Sequence, residues 1–309
     1  MFQKNKKSSQ KIINNESSVD VSSPKRKRKK FIGRLIFFVV FMVGLGLVMF
    51  PLVSQYMYHR AAQVEVDVFE QAVKKLTPND IDRRMKLAKA YNDAIFQGYG
   101  DDVISPTDPF DDADHKAGLK EYARMLEVHE QIGYVNIPKI TQELPVFAGT
   151  DESVLQRGVG HLQGTSLPVG GNNTHTVITA HRGLPKARLF TDLNQLKTGD
   201  VFYFHNLSET LAYQVDDIKV IEPHEVEHLD IVPGHDYMTL LTCTPYMVNS
   251  HRLLVRGHRV PYSQAIEEKQ QATHEENRMY KILFYITLAI LIMVVIGVIL
   301  NRRRRNSCS

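Results

Sequence analysis

The stretch Tyr237–Arg259 reads YMTLLTCTPYMVNSHRLLVRGHR and determines how the rest of the chain is interpreted. Two runs, Met238–Thr242 and Arg252–Val255, predict β-strands on either side of a loop that contains proline, asparagine and serine. Cys243 follows the first run and Arg252 opens the second, nine positions later. If the two strands are neighbours, the arginine lies beside the thiol. Because a free thiol has a pKa of about 8.5, a nearby cation would favour the reactive thiolate.

A second stretch, TVITAHRG, supplies a histidine. Its β-type run ends at His181 and continues into a turn at Gly183–Pro185, and loops at the ends of strands often carry reactive side chains. Arg256 alternates to the same strand face as Arg252 and is therefore the alternative candidate for the arginine that acts on the thiol. Cys243 taken alone would be typical of a small buried core residue.

These residues in these surroundings resemble the sortase family, the cysteine transpeptidases of Gram-positive cell surfaces. The segment TLLTC matches the TLxTC signature of the family, and the histidine and arginine occur in the family's order. The resemblance covers about residues 131–262. It implies that Cys243 is the nucleophile, His181 the catalytic histidine and Arg252 the catalytic arginine, and that the reaction needs no metal or organic cofactor.

A loop upstream of these motifs contains the tripeptide Asp108-Pro109-Phe110. Acidic loops with proline are usually solvated connections. The pilus-building class C sortases, however, carry an N-terminal lid with an Asp-Pro-aromatic tripeptide, and most have a second, C-terminal membrane helix. The resemblance therefore implies a class C enzyme with a lid in which Asp108 pairs with Arg252 and Phe110 covers Cys243.

Two uncharged apolar runs, Leu35–Val53 and Ile282–Leu300, are each about as long as a bilayer is thick. Basic clusters at Lys25–Lys30 and Arg302–Arg305 lie outside them in sequence. The positive-inside rule then predicts a protein of the cell membrane with two membrane helices, both termini in the cytoplasm and residues 55–281 outside. A cleaved signal peptide is the alternative for the first run, but the long segment before it favours a retained anchor.

The charge of the chain is unevenly distributed. The formal net charge is +4, yet residues 1–34 carry +9 and the tail after Leu300 carries +4, so the part between them carries about −9. An acidic central region does not favour nucleic acid as a partner.

Residues 55–131 have helical spacing of apolar residues, with a break at the lid loop and a further helix near residues 119–131. Asn79 or Asp80 is the predicted N-cap of the second helix. From Gly133 the apolar period changes to two, and seven or eight short runs predict a mainly β domain. The resemblance implies that this domain is a closed β-barrel of about eight strands with short helices.

The domain plan follows from these boundaries, with two membrane helices flanking the helical lid region and the barrel. The segments are a basic tail (1–34), a membrane helix (35–54), the helical region with its lid loop (55–131), the catalytic barrel (132–262), a linker (263–281), a second membrane helix (282–300) and a basic tail (301–309).

One segment supports a competing interpretation. His224–His228 reads HEVEH and fits the zinc-peptidase pattern, in which two histidines on one helix face bind zinc and Glu225 acts as a base. Pro223 and Pro233–Gly234 enclose the segment, which leaves little room for the longer helix that this motif needs. The surroundings favour a linker between strands.

The resemblance implies an acyl transfer in which Cys243 attacks an LPXTG-type sorting signal between its Thr and Gly. A lysine amine of the next pilin subunit then accepts the acyl group, so that pilin subunits are joined covalently into a pilus. The expected partners are pilin subunits and the membrane. The alternatives are a housekeeping sortase that anchors proteins to peptidoglycan, a membrane-tethered zinc peptidase that uses HEVEH, and a non-catalytic surface scaffold.

Overall fold

A computed structural model describes residues 24–98, 125–262 and 283–298, apart from positions 286, 289, 293 and 296. The predicted lid residues Asp108, Pro109 and Phe110 lie outside the described residues. Residues 1–23 and 299–309, at the two ends of the chain, also lie outside them. The chain divides into one unit up to Leu52 and a second, larger unit from Val53 onward.

Two long helices precede the sheet, α1 (Pro24–Val73) and α2 (Pro78–Gln97). The N-cap of α2 is Thr77, whose Oγ1 accepts a hydrogen bond from the Asp80 amide at 3.2 Å. The prediction of Asn79 or Asp80 as the cap was wrong because Pro78 lacks an amide hydrogen and fits the first helical position. The helix ends at Gln97, and Gly98 follows it as the C-cap with a φ of 65°.

Among the described residues, one helical segment, Leu35–Val73, is long and apolar enough to cross a membrane. Its apolar side chains at Phe37 and Leu47 are exposed, and the segment is a candidate membrane span. Within the second predicted span, the described residues include a shorter apolar helix, Leu283–Ile292. Since a crossing needs about 20 residues, the second membrane helix stays a prediction.

In the described part of the chain, eight strands follow the helices, with a short helix α3 (Glu152–Leu155) between the second and third. The strands are β1 (Gln131–Ile137), β2 (Gln142–Ala148), β3 (Val159–His161), β4 (Thr174–Thr179), β5 (Val201–His205), β6 (Thr210–Ile221), β7 (Asp236–Thr244) and β8 (His251–Val260).

These strands close into a barrel in the order β1-β2-β3-β4-β7-β8-β6-β5. The closed, mainly β barrel of about eight strands is thereby confirmed. Strand β4 is parallel to β7, and β7 is antiparallel to β8. The carboxyl ends of β4 and β7 therefore meet the amino end of β8 at one end of the barrel.

Alternation along β7 and β8 separates two cores. Met238 and Val255 belong to the large core inside the barrel, whereas Leu241 and Leu254 belong to a smaller cluster on the outer face. Leu229 covers this outer cluster from a 3-10 turn in the connection between β6 and β7. The middle of the outer face of these strands is therefore shielded from solvent.

Polar side chains join the helices to the barrel. Gln131 donates from Nε2 to Oε2 of Glu65 at 2.9 Å, and Asn92 exchanges two hydrogen bonds with the backbone of Leu167, at 3.0 and 2.7 Å. Residues 125–130 form turns and a bridge instead of the predicted helix end. The bridge between Val128 and Gln131 and the positive φ angles of residues 129 and 130 are incompatible with a helix.

Two buried histidines and one partly buried histidine are expected to make the fold sensitive to acid. Burial lowers the pKa of His175 to about 4, and the same cause lowers the pKa of His161 and of His205 to about 4. The neutral ring of His175 is fully satisfied, because Nδ1 donates to the Asp230 carbonyl and Nε2 accepts from the Thr239 hydroxyl, each at 2.8 Å.

We expect the free energy of unfolding to fall as the pH drops from about 6.5 toward 4. In this range the histidines of the unfolded chain bind protons, whereas those of the folded protein stay neutral. Urea unfolding at pH 7.5 and pH 5 measures the change. The variant His175→Gln removes one titrating ring and should show a smaller difference between the two pH values. An equal difference in the variant and the wild type would contradict the assignment to His175.

Candidate active site

Cys243 and Arg252 face each other across two adjacent strands. They are direct partners in the antiparallel register of β7 and β8. Both side chains are buried, with 6% of Cys243 and 7% of Arg252 exposed. Because directly opposed residues in such a pair have Cβ atoms only about 5 Å apart, the guanidinium can act on the thiol. The predicted proximity of these two residues is present in the structure.

His181 is brought to the same end of the barrel by the parallel pairing of β4 with β7. Thr179 pairs with Leu241. His181 lies two residues after Thr179 and Cys243 lies two residues after Leu241, so the two residues reach the same level. The pairing continues past the strand end, since the Ala180 amide donates to the Leu241 carbonyl at 3.3 Å. The three residues proposed from the sequence therefore converge at one end of β4, β7 and β8.

The guanidinium of Arg252 is oriented by its own loop. Its Nη1 donates to the carbonyl oxygens of Asn249 and His251, at 3.1 and 3.2 Å. Hydrogen bonds from one nitrogen to two backbone carbonyls restrict rotation of the planar group. The β7–β8 loop thus supports the arginine from the side, and the strand register places it opposite the cysteine.

Arg256 occupies a different place on the same face. It lies opposite Thr239, four residues away from the pair formed by Cys243. Its guanidinium makes two hydrogen bonds of 3.1 Å to the carboxylate of Asp216 and stacks over the ring of Tyr237 at 4.2 Å. The register of β6 shifts between Val215 and Asp217, a bulge that lets Asp216 reach Arg256.

Comparison with known proteins identifies the family of this chain. A family model described as a sortase domain matches residues 135–260. The crystal structure of sortase C-1 from Streptococcus pneumoniae is 58% identical, covers 64% of this chain and 98% of its own, and has a TM-score of 0.60. The chain belongs to the sortase family.

Other matches define the branch of the family. A pilus-related sortase C of Group B Streptococcus is 57% identical, with 64% of this chain and 97% of that chain covered and a TM-score of 0.59. Sortase A of Streptococcus agalactiae is 32% identical over 117 residues, 37% of this chain and 47% of that protein. The chain thus spans about half the length of that curated relative. Identities above 50% to sortase C structures assign this sortase to class C.

The HEVEH segment of this sortase does not form the helix that a zinc peptidase needs. Only a 3-10 turn, Val226–Leu229, is present there, so His224 and His228 do not share a helix face. Glu225 instead accepts a hydrogen bond from the Glu222 amide at 2.8 Å. Within the described ranges, no three potential ligands from histidine, cysteine or acidic side chains are grouped to hold a metal ion. The geometry favours the linker interpretation.

Arg182 is a structural element of the site that the sequence reasoning missed. Its side chain donates to the Thr191 carbonyl at 3.2 Å, to Oδ1 of Asn194 at 3.0 Å and to Oγ1 of Thr244 at 2.7 Å. Thr244 directly follows the cysteine, and Arg182 directly follows His181. One guanidinium thereby joins the histidine turn to the end of the cysteine strand. Its position next to His181 was the available signal.

Glu152 is the second residue that the sequence reasoning missed. Its Oε2 lies 3.2 Å from Nε2 of His181, and its Oε1 accepts a hydrogen bond from Nε2 of Gln156. The carboxylate begins α3 and is 63% exposed, while His181 is 22% exposed. It reaches the histidine from a segment 29 residues away in the chain, and no sequence motif indicated that contact.

We expect Arg182→Ala to lower kcat/KM by about tenfold or more, because small displacements of reacting groups are costly. Thr244→Val removes only the hydrogen bond from Arg182 to the cysteine strand and should also lower kcat/KM. Combining the two changes should cost less than the sum of the single effects, since both break one interaction.

The control is Asn194→Ala, which removes a bond on the other side of Arg182 and leaves the link to Thr244 in place. Peptide cleavage measured below the unfolding transition of every variant separates activity from stability. Full activity in Arg182→Ala would show that the backbone pairing of β4 and β7 suffices to position the two residues.

Proposed function

We propose that this sortase cleaves an LPXTG-type sorting signal between Thr and Gly and joins pilin subunits through a lysine amine. The observation that carries the proposal is the convergence of Cys243, Arg252 and His181 at one end of three adjacent strands. The similarity to structures described as pilus-related sortase C supports the choice of substrate.

In the first half-reaction, the thiolate of Cys243 attacks the carbonyl carbon of the threonine. The guanidinium of Arg252 stabilises the negative charge that develops on the carbonyl oxygen. His181 donates a proton to the nitrogen of the departing glycine. The peptide bond breaks, and the threonine remains attached to sulfur as a thioester.

In the second half-reaction, the lysine amine attacks the thioester carbon. The C–S bond breaks with its electron pair on sulfur, which regenerates the thiolate of Cys243. His181 accepts a proton from the attacking nitrogen, so that the resting protonation state is restored. Each residue acts in both halves, and the product is an amide between two subunits.

The proposal includes the location of the enzyme. The apolar segment of α1 anchors the chain in the membrane, and a second helix near the C-terminus leaves both termini in the cytoplasm with the barrel outside. Anchoring the enzyme and its membrane-held substrates in one surface raises their effective concentration. The tripeptide Asp108-Pro109-Phe110 acts as a lid over Cys243 and Arg252 in the resting enzyme.

An acyl-enzyme experiment tests the reaction. The protein is incubated with an LPXTG peptide, and the adduct is located by mass spectrometry. Since the chain has one other cysteine, Cys308, the variant Cys308→Ala serves as the control and should still form the adduct. Cys243→Ala should form none, and His181→Ala should form it at least about 10³-fold more slowly. An adduct on Cys243→Ala would exclude this mechanism.

A pair of arginine variants tests the assignment of the oxyanion-stabilising group. Arg252→Ala should lower kcat/KM by about 10²–10³-fold, the loss typical of one removed oxyanion donor. Arg256→Ala should leave kcat/KM within a few-fold but lower the free energy of unfolding by about 1–3 kcal/mol, because it breaks a partly buried ion pair. Peptide cleavage and urea unfolding measure the two effects, and the opposite pattern would assign catalysis to Arg256.

A further inference from the structure

The contact between Glu152 and His181 has no role in the reaction steps described above. The carboxylate lies 3.2 Å from Nε2 of the histidine and is 63% exposed, so a molecule arriving from solvent can reach it. Gln156, one helical turn further on, holds the other carboxylate oxygen. The carboxylate is therefore fixed in place beside the group that must receive a proton from the acceptor.

The charges around the site make this carboxylate significant. Arg252 lies opposite the cysteine, and Arg182 donates to Thr244 at 2.7 Å, next to the cysteine in sequence. A lysine side chain has a pKa of about 10.4 and approaches as an ammonium ion. Two guanidinium groups repel this ion, whereas the carboxylate of Glu152 attracts it. Complementary charge of this kind guides a partner toward one approach and disfavours others.

The geometry accommodates an ammonium group directly. A nitrogen about 2.8 Å from both Oε2 of Glu152 and Nε2 of His181 can donate a hydrogen bond to each atom. Once His181 has given its Nε2 proton to the leaving glycine, these two atoms both become acceptors that face each other. A positively charged donor that contacts both atoms from the solvent side relieves that repulsion.

We infer that Glu152 binds the ammonium group of the acceptor lysine and delivers it to His181, an inference that rests on the proposed function. The bound ammonium releases one proton to bulk water and becomes an amine. Its nitrogen forms the amide bond to the thioester carbon, and the C–S bond to Cys243 breaks with the electron pair on sulfur. The second proton of the attacking nitrogen passes to His181.

The test compares acceptors of different charge on a preformed acyl-enzyme. The thioester is formed with an LPXTG peptide, and its decay is followed with a lysine-containing peptide or with hydroxylamine, which is uncharged at neutral pH. Glu152→Gln keeps the shape and hydrogen-bonding capacity of the side chain but removes its charge. Glu209→Gln is the matched control, because Glu209 is also an exposed carboxylate and is paired with Arg259. Glu209 precedes the start of β6, whereas Arg252 pairs with the other end of that strand, so the control lies away from the site.

We expect Glu152→Gln to raise the KM for the lysine peptide by about fivefold, the range of a single partly exposed charge interaction. The rate with hydroxylamine should fall much less, so that the ratio of the two rates changes. Glu152→Asp should recover part of the preference for lysine, and added salt should reduce the difference between wild type and Glu152→Gln. Glu209→Gln should behave as the wild type.

Two outcomes would overturn the inference. Equal losses in acylation, hydroxylaminolysis and lysine transfer would mean that Glu152 only orients His181. Unchanged KM for the lysine peptide in Glu152→Gln would mean that the carboxylate does not contact the acceptor. The proposed function fails separately, if the wild-type protein forms no thioester with the LPXTG peptide in the first step.

Discussion

The backbone pairing of β7 with its two neighbours is the constraint on which the rest of the site depends. On one side, the antiparallel register sets Cys243 opposite Arg252. On the other side, the parallel register with β4 brings the residues after Thr179 to the same level as the end of β7. Because a shift by one residue moves every side chain to the other face of a strand, any slip in either pairing would separate Cys243, Arg252 and His181.

The outer face of these strands is organised in three levels. Cys243 and Arg252 lie at the end of the barrel, an apolar cluster that includes Leu241 lies in the middle, and Arg256 lies beyond it with Asp216. The apolar level separates the two arginines and excludes water between them. Arg256 is held by an ion pair and an aromatic ring, while the guanidinium of Arg252 is supported by carbonyl oxygens of its own loop.

Supporting contacts come from segments that are distant in sequence. Arg182 links the histidine turn to Thr244, 62 positions later, and Glu152 approaches the histidine from α3. Neighbouring loop residues Tyr246 and Met247 are exposed, so an apolar surface lies close to this end of the barrel. The site thus combines an electropositive centre, a carboxylate at its side and an apolar edge, features that fit the proposed peptide donor and the proposed cationic acceptor.

The sequence by itself determined the mainly β character, the strand flanking the cysteine and the identity of three candidate catalytic residues. Period-two alternation and turn residues are local properties, so the order of the chain records them. Alternation alone does not distinguish Arg252 from Arg256, because both alternate to the same face of β8, and the preference for Arg252 came from the family resemblance. The register of β7 with β8 shows which arginine lies near the cysteine, because it pairs Cys243 with Arg252.

Only the tertiary structure placed Glu152 beside His181 and Arg182 between two strand ends. These contacts depend on the parallel pairing of β4 with β7 and on the position of α3 next to β3. Parallel pairing joins segments separated by long connections, and no local pattern of residues records which distant side chains it brings into contact.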